Sequence, residues 1–145
     1  MKCCFGEVRD GKMILNDLGI IVNEEWNKTR EIRKNVDLDY YVIMPNHFHG
    51  ILIIKYIETT RWDVSRERKT GQRPVSTMFK PNSLGSIIGQ FKSICTKRIG
   101  KFGFDNFKWQ PRFYDHIIRD ERNLHRIRMY IQNNPLKWEI DEYYQ

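Results

Sequence analysis

The stretch from Leu38 to Tyr56, LDYYVIMPNHFHGILIIKY, decides the fold because it is rich in β-branched and aromatic residues. Residues of these types favour β-strands. Pro45 and Asn46 interrupt the stretch, and a proline cannot continue the hydrogen-bonded ladder of a strand. The sequence therefore predicts two strands joined by a tight link at Pro45-Asn46.

The second predicted strand carries two imidazoles separated by one residue, His47 and His49. Because alternate side chains of a strand share a face, both histidines can bind one metal ion, while Phe48 points into the core. The apolar run Gly50 to Ile54 makes an extended strand a credible platform. Two surface or hydrogen-bonded histidines give the same pattern, so a metal site needs a third ligand.

Before this stretch, the sequence predicts a hairpin and a helix. Asp10-Gly11 lies between two apolar arms in Val8 to Leu15 and favours a hairpin turn. Asn16-Asp17 caps a helix that we expect to extend to about residue 33. Five of its residues fall near one face at helical spacing: Leu18, Ile21, Val22, Trp26 and Thr29.

After the strands, the segment from about residue 59 to residue 82 has no apolar period and contains prolines, glycine and many cations. It predicts a mobile basic loop. The cations that we expect to contact phosphates are Arg66, Arg68, Lys69 and Arg73.

A second helix follows, with Ser83 as its N-cap and Gly100 at its end. Apolar residues at helical spacing give it a buried face. Its other face and its end carry Lys92, Lys97, Arg98 and Lys101 without an acidic residue among them. These cations either offer a basic surface to phosphates or form an ordinary solvated face, and the sequence leaves both open.

The C-terminal part predicts a strand from Arg112 to Ile118 and a last helix that begins at Asp120-Glu121 and stops at Pro135. Tyr130 and Asn134 are neighbours on one face of this helix because they are four residues apart. Tyr130 could attack a phosphate that a metal ion polarises, and Asn134 could give that metal a carbonyl oxygen. Half-buried packing of Tyr130 and a helix-end role for Asn134 are the structural alternatives.

The composition fits one globular domain over residues 1–145, with 40% hydrophobic residues and a formal net charge of +7. The positive charge favours a polyanionic partner. Three cysteines cannot close a disulfide framework, so we expect reduced thiols. No apolar run approaches the ~20 residues that span a bilayer, and no signal peptide is visible, so we expect a cytoplasmic protein without a membrane partner.

The segment Tyr41 to Gly50, YVIMPNHFHG, closely resembles the HUH segment of single-tyrosine transposases of the insertion-sequence-200-like class, especially the REP-associated tyrosine transposases. Three further stretches resemble the same family in the same order, and the match covers about Phe5 to Trp138. They are Leu84 to Lys97, Trp109 to Asp120, and Tyr130 to Lys137.

The resemblance implies an α+β, ferredoxin-like antiparallel sheet with helices packed on one face. It implies that His47, His49 and Asn134 bind Mg²⁺ or Mn²⁺ and that Tyr130 is the nucleophile, with Tyr114 in reserve. The implied activity is metal-assisted cleavage and rejoining of single-stranded DNA through a 5′-phosphotyrosine, next to a DNA hairpin that the protein recognises. Whether one chain or a homodimer builds the site stays open.

The chain departs from the family pattern at its start, because members have an extra strand before the Phe-Gly-Glu stretch, which here is Phe5-Gly6-Glu7. We therefore expect a sheet without its first strand and with an exposed edge, as in a truncated or decayed copy. An inactive DNA-hairpin-binding protein is accordingly the main alternative. A metal-dependent phosphohydrolase for small substrates, which needs the histidines but not Tyr130, is a third.

Overall fold

The computed structural model describes residues 4–55 and 82–140, which form an α+β architecture. The α+β class expected from the sequence is confirmed. In chain order the elements are β1 (Gly6–Arg9), β2 (Lys12–Leu15), α1 (Asp17–Ile32), β3 (Val36–Ile43), β4 (Phe48–Ile54), α2 (Leu84–Lys101), α3 (Glu121–Asn133) and a short 3₁₀ helix (Pro135–Ile140).

The strands β1 and β2 form the predicted hairpin. Asp10 and Gly11 make its turn with positive φ angles of 50° and 70°, a backbone conformation that Asp-Gly tolerates. Directly after β2, Asn16 caps α1 by accepting a hydrogen bond from the backbone N–H of Gly19 at 3.0 Å. Both the hairpin and the first helix are therefore confirmed.

The strands β3 and β4 form the second antiparallel pair, in register from Val36 opposite Ile54 to Ile43 opposite Phe48. The turn between them is closed by a hydrogen bond of 2.8 Å from the N–H of Met44 to the carbonyl of His47. The register shifts between Leu38 and Tyr41. The two strands and their link at Pro45-Asn46 are as predicted.

The core lies on one face of the β3–β4 pair, under α1 and α2. Trp26 of α1 packs edge-on against Phe48 at 4.6 Å and against Phe91 of α2 at 5.2 Å between ring centroids. At Gly50, a Cβ atom would lie 2.8 Å from the Trp26 ring, so the indole packs directly on the strand backbone. Phe48 therefore points into the core, as the alternation predicted.

The helix α3 covers the opposite face of the pair. His49 follows Phe48 in the strand, so its side chain points away from the core, and there it meets Tyr130 of α3. The structure therefore has helices on both faces, whereas helices on one face were expected. Aromatic rings pack under α1 and α2 on one face, and on the other face Arg128 of α3 pairs with Asp39 of β3.

The predicted strand from Arg112 to Ile118 is wrong, because this segment has no ladder partner in the described chain. The described strands form two separate pairs, β1–β2 and β3–β4, instead of one sheet. The segment leaves Phe113 43%, Tyr114 96% and Ile117 68% exposed. Its β-branched and aromatic residues favour a strand, but the segment pairs with no strand of the described residues.

The helix α2 begins after Ser83, whose hydroxyl accepts a hydrogen bond from the N–H of Ser86, as predicted. It ends at Lys101 and not at Gly100. The left-handed glycine that follows the helix is Gly103, with φ of 89°. Of the predicted basic loop from about residue 59 to 82, all but Asn82 lies outside the described residues. None of the helices in the described ranges is long and apolar enough to cross a membrane.

Candidate metal and tyrosine site

Of the two predicted metal ligands, His49 lies in β4 on the face that α3 covers, whereas His47, predicted on the same strand, is the residue immediately before β4. The rings of His47 and His49 are 4.7 Å apart between centroids and nearly perpendicular, at 76°. The Nε2 atoms of both rings are buried. The structure therefore places the two imidazoles side by side.

Asn46 holds the imidazole of His47 from the turn that precedes β4. The side-chain oxygen of Asn46 lies 2.7 Å from Nδ1 of His47, and Asn46 is only 7% exposed. An amide oxygen can only accept, so Nδ1 of His47 donates to it and the contact orients the ring. The sequence indicates only a turn at Asn46 and gives no sign of this role.

Tyr130 lies against the histidine pair from α3. Its ring meets the ring of His49 edge-on at 5.4 Å between centroids. The residue is 50% exposed, so its phenol stands between the buried imidazoles and solvent. Tyr114, the reserve nucleophile, is 96% exposed on the irregular segment before α3, so the structure favours Tyr130 as the tyrosine that accompanies the histidines.

Asn134 follows Tyr130 by one helical turn and is 3% exposed. Its side-chain oxygen is buried and accepts no hydrogen bond from the described residues. Leaving such an oxygen unsatisfied costs about 1–3 kcal/mol. A bound cation would remove that cost, which is how the third predicted ligand fits a metal site.

Trp138, in the 3₁₀ helix, covers the other end of the site. It is 7% exposed, and its ring lies 6.0 Å from that of His47. Asn134 is four residues after Tyr130, which contacts His49, and four residues before Trp138, which contacts His47. The sequence predicts no role for Trp138 in the site, although its spacing of four residues from Asn134 is the signal that could have found it.

The candidate ligands suit a divalent cation only if the amide oxygen of Asn134 is counted together with the two histidines. Within the described part of the chain, no three His, Cys, Asp or Glu side chains come together as a ligand group. Two imidazole nitrogens and one amide oxygen make a mixed nitrogen and oxygen set. The residues present thus fit a cation that tolerates both ligand types.

Four cations of α2 are predicted to bind phosphates; two of them are exposed, and two contact other residues of the protein. Lys97 and Lys101 are exposed. Lys92 donates to the carbonyl of Gln110 at 3.1 Å and lies over the Trp109 ring, and burial lowers the pKa of its amine. Arg98 pairs with Glu24 and Glu25 of α1. The four loop cations Arg66, Arg68, Lys69 and Arg73 lie outside the described residues.

The ion pairs of Arg98 give it a structural role in addition to the predicted phosphate contact, which stays a prediction. Glu25 is 6% exposed. Burial acts to raise the pKa of its carboxyl, but hydrogen bonds from Arg98 and Lys28 overcome that effect and lower it. The guanidinium thus neutralises a buried carboxylate, and Arg98 joins α2 to α1 as a structural residue.

Comparison with known proteins relates the chain to a protein of Haemophilus influenzae. The two are 36% identical over 143 residues, which span 99% of this chain and 78% of the other. They belong to one family. The Haemophilus protein is described as uncharacterized, so this family relationship carries no activity with it. No protein-family model matches the chain, and no solved structure matches it.

Proposed function

We propose that this family member is a metal-dependent single-tyrosine transposase of the HUH class, which cleaves and rejoins single-stranded DNA. The observation that carries the proposal is the position of Tyr130. Its ring lies against His49 on the face of β4 that presents both imidazoles. A nucleophile with two metal-ligand side chains beside it is the minimum that this chemistry needs.

The cation would be Mg²⁺ or Mn²⁺, held by His47, His49 and Asn134. The amide oxygen of Asn134, which is buried and accepts no hydrogen bond from the described residues, is the feature that supports this ligand set. When bound, the cation supplies Lewis acidity to a phosphodiester oxygen. Asn46 orients His47 through its Nδ1 proton, and Trp138 packs beside the same ring.

The proposed reaction exchanges one phosphodiester for another. The phenol oxygen of Tyr130 bonds to phosphorus, and the bond from phosphorus to the 3′-oxygen breaks. The phenol loses a proton and the leaving oxygen gains one, so the products are a 5′-phosphotyrosine and a free 3′-hydroxyl. A second 3′-hydroxyl can reverse the step and join new ends, because the covalent link retains the energy of the broken bond.

The charge of the chain supports DNA as the substrate. The formal net charge is +7, and Lys97 and Lys101 stand exposed at the end of α2. Cations of this kind contact the phosphate backbone without reading sequence. We therefore assign backbone binding to these two lysines and to the loop cations, with a single strand beside a DNA hairpin as the ligand.

The test is covalent capture. Labelled single-stranded hairpin DNA is incubated with the protein and Mn²⁺, and a protein–DNA adduct that resists denaturation is measured. We expect an adduct in the native protein and in the matched control Tyr114→Phe, and none in Tyr130→Phe. Each variant removes one tyrosine hydroxyl, but Tyr130 contacts His49, whereas Tyr114 is 96% exposed.

The other outcomes identify the alternatives. Shifted DNA without an adduct in the native protein would assign the chain to DNA-hairpin binding without catalysis. Hydrolysis of small phosphodiesters that survives both phenylalanine substitutions would assign it to the phosphohydrolases. Loss of the adduct in Tyr114→Phe with retention in Tyr130→Phe would move the nucleophile to the reserve position.

A further inference from the structure

An irregularity in β3 lies directly under the helix that carries Tyr130. Leu38 pairs with Leu52 and Tyr41 pairs with Gly50. Asp39 and Tyr40 therefore stand opposite one residue of β4, Ile51, which is the pattern of a β-bulge. Bulges change the direction of side chains, and this one lies one strand away from the histidines.

The bulge turns two successive side chains toward α3. Leu38 and Tyr41, on either side of it, pack against the core on the α1 face. Asp39 and Tyr40 between them both contact Arg128 of α3. In a regular strand one of these two side chains would point toward the core, because successive side chains point to opposite faces.

Arg128 contacts the carboxylate of Asp39 through two hydrogen bonds from different nitrogens, an arrangement that we call the fork. Nε of Arg128 donates to Oδ1 of Asp39 at 3.0 Å, and Nη2 donates to Oδ2 at 2.5 Å. The Asp39 side chain is 8% exposed, and the guanidinium carbon lies 5.6 Å from the centre of the Tyr40 ring. A planar fork on a carboxylate fixes orientation as well as distance.

Arg128 and Tyr130 lie on opposite flanks of the buried stripe of α3. Residues two apart are about 200° apart around a helix, and the buried Ile131 lies between the two directions. One flank is held to Asp39, and the other carries the phenol that meets His49. The rotation of α3 about its axis therefore sets the position of Tyr130.

We propose that the bulge at Asp39-Tyr40 and the fork from Arg128 position the nucleophile by fixing the rotation of α3 over the histidines. The inference rests on the proposed function for its consequence in catalysis. Asp39 and Arg128 are positioning residues, since neither touches the reacting atoms. Their loss changes the rate of the chemical step and leaves DNA binding intact.

The test compares Asp39→Asn with Asp37→Asn, a matched change on the same strand. Asp37 pairs with Lys55 and not with α3. Two readouts are taken below the melting temperature of every variant. The first is the nuclear Overhauser effect between the ring protons of Tyr130 and His49 in metal-free protein. The second is the rate constant for adduct formation at saturating DNA, together with KM.

We expect Asp39→Asn to weaken the Overhauser effect and to lower the rate constant about 10-fold to 100-fold, with KM unchanged, because small misplacements of a nucleophile are costly. Asp37→Asn keeps both values. Arg128→Lys retains the charge without the fork, gives an intermediate loss, and serves if Asp39→Asn fails to fold. Unchanged readouts in Asp39→Asn, or equal losses in Asp37→Asn, would overturn the inference. If the native protein forms no adduct, the proposed function fails, and the Overhauser effect alone decides on positioning.

Discussion

The hydrogen bond between Asn46 and His47 decides which nitrogen of that imidazole faces the site. With Nδ1 donating to the amide oxygen at 2.7 Å, Nε2 is the nitrogen that would bind a cation in the proposed site. We expect Asn46→Ala to reduce Mn²⁺ affinity about 10-fold to 100-fold, because second-shell partners fix the tautomer and orientation of a ligand. Isothermal titration with Mn²⁺ measures this.

The control for Asn46 is Asn27→Ala. Asn27 is also partly buried and hydrogen-bonded, but its partners are Tyr41 and a carbonyl of α1 on the core face. It should change stability without changing Mn²⁺ affinity. Equal affinity in Asn46→Ala and the native protein would remove Asn46 from the site.

The pair between Asp39 and Arg128 also predicts a pH dependence. The hydrogen bonds from Arg128 hold the pKa of the Asp39 carboxyl below its ordinary value. The pair therefore stabilises the fold fully above the ordinary aspartate pKa of about 3.9, and this contribution is lost as pH falls through the lowered value. Urea unfolding from pH 3 to pH 7 should show that native protein and Asp39→Asn converge at the acidic end.

A second variant tests whether Asp39 and Arg128 cause this pH dependence of stability. Arg128→Gln removes the partner of Asp39, so its unfolding free energy should show the same reduced dependence on pH as Asp39→Asn. A difference between native protein and Asp39→Asn that stays constant down to pH 3 would contradict the assignment.

At the scale of elements, Arg98 distinguishes a structural cation from a binding one. It bridges α2 to Glu24 and the buried Glu25 of α1. Removing a partner from a buried carboxylate is destabilising, and since Lys28 remains we expect Arg98→Ala to cost about 1–3 kcal/mol. The exposed neighbour Lys97→Ala should leave stability within about 0.5 kcal/mol. Urea denaturation measures the free energy of unfolding of the two variants. Equal values would contradict the structural role and leave Arg98 as a candidate DNA-binding residue.

Elements with strong local signals were predictable from sequence. The Asp-Gly turn, the caps at Asn16 and Ser83, and the interruption at Pro45 each depend on neighbouring residues, and the structure places each where expected. The strand from Arg112 to Ile118 failed because a strand also needs a partner edge, which no local pattern reveals. The bulge at Asp39-Tyr40 was invisible for the same reason, since register is a property of two strands.

The candidate site was predictable only in part, because its residues come from elements far apart in the sequence. The spacing of His47 and His49 and of Tyr130 and Asn134 placed each pair on one face, but it could not place the two faces together. The structure supplies that step through the contact between His49 and Tyr130. The fork from Arg128 depends on how α3 packs over β3, and the contact of Trp138 with His47 depends on where the 3₁₀ helix lies. The contact between Asn46 and His47 depends on the conformation of the turn before β4.

For the whole molecule, we expect DNA binding and adduct formation to depend on different residues. A net charge of +7 and exposed lysines at the end of α2 act through phosphate contacts, which release counterions and make affinity fall with salt. Tyr130 contributes no charge to that interaction. We therefore expect Tyr130→Phe to bind single-stranded hairpin DNA with native affinity and salt dependence while forming no adduct.

The lysines should show the opposite pattern. Each phosphate contact to a single strand contributes about 0.7 to the slope of log affinity against log salt. The double substitution of Lys97→Ala and Lys101→Ala should therefore reduce the slope by about 1.4 and leave adduct formation at saturating DNA unchanged. Fluorescence anisotropy from low to high salt measures the slope. An unaltered slope would place the DNA on another surface, because a basic face that contacts phosphates must lose salt dependence when its charges are removed.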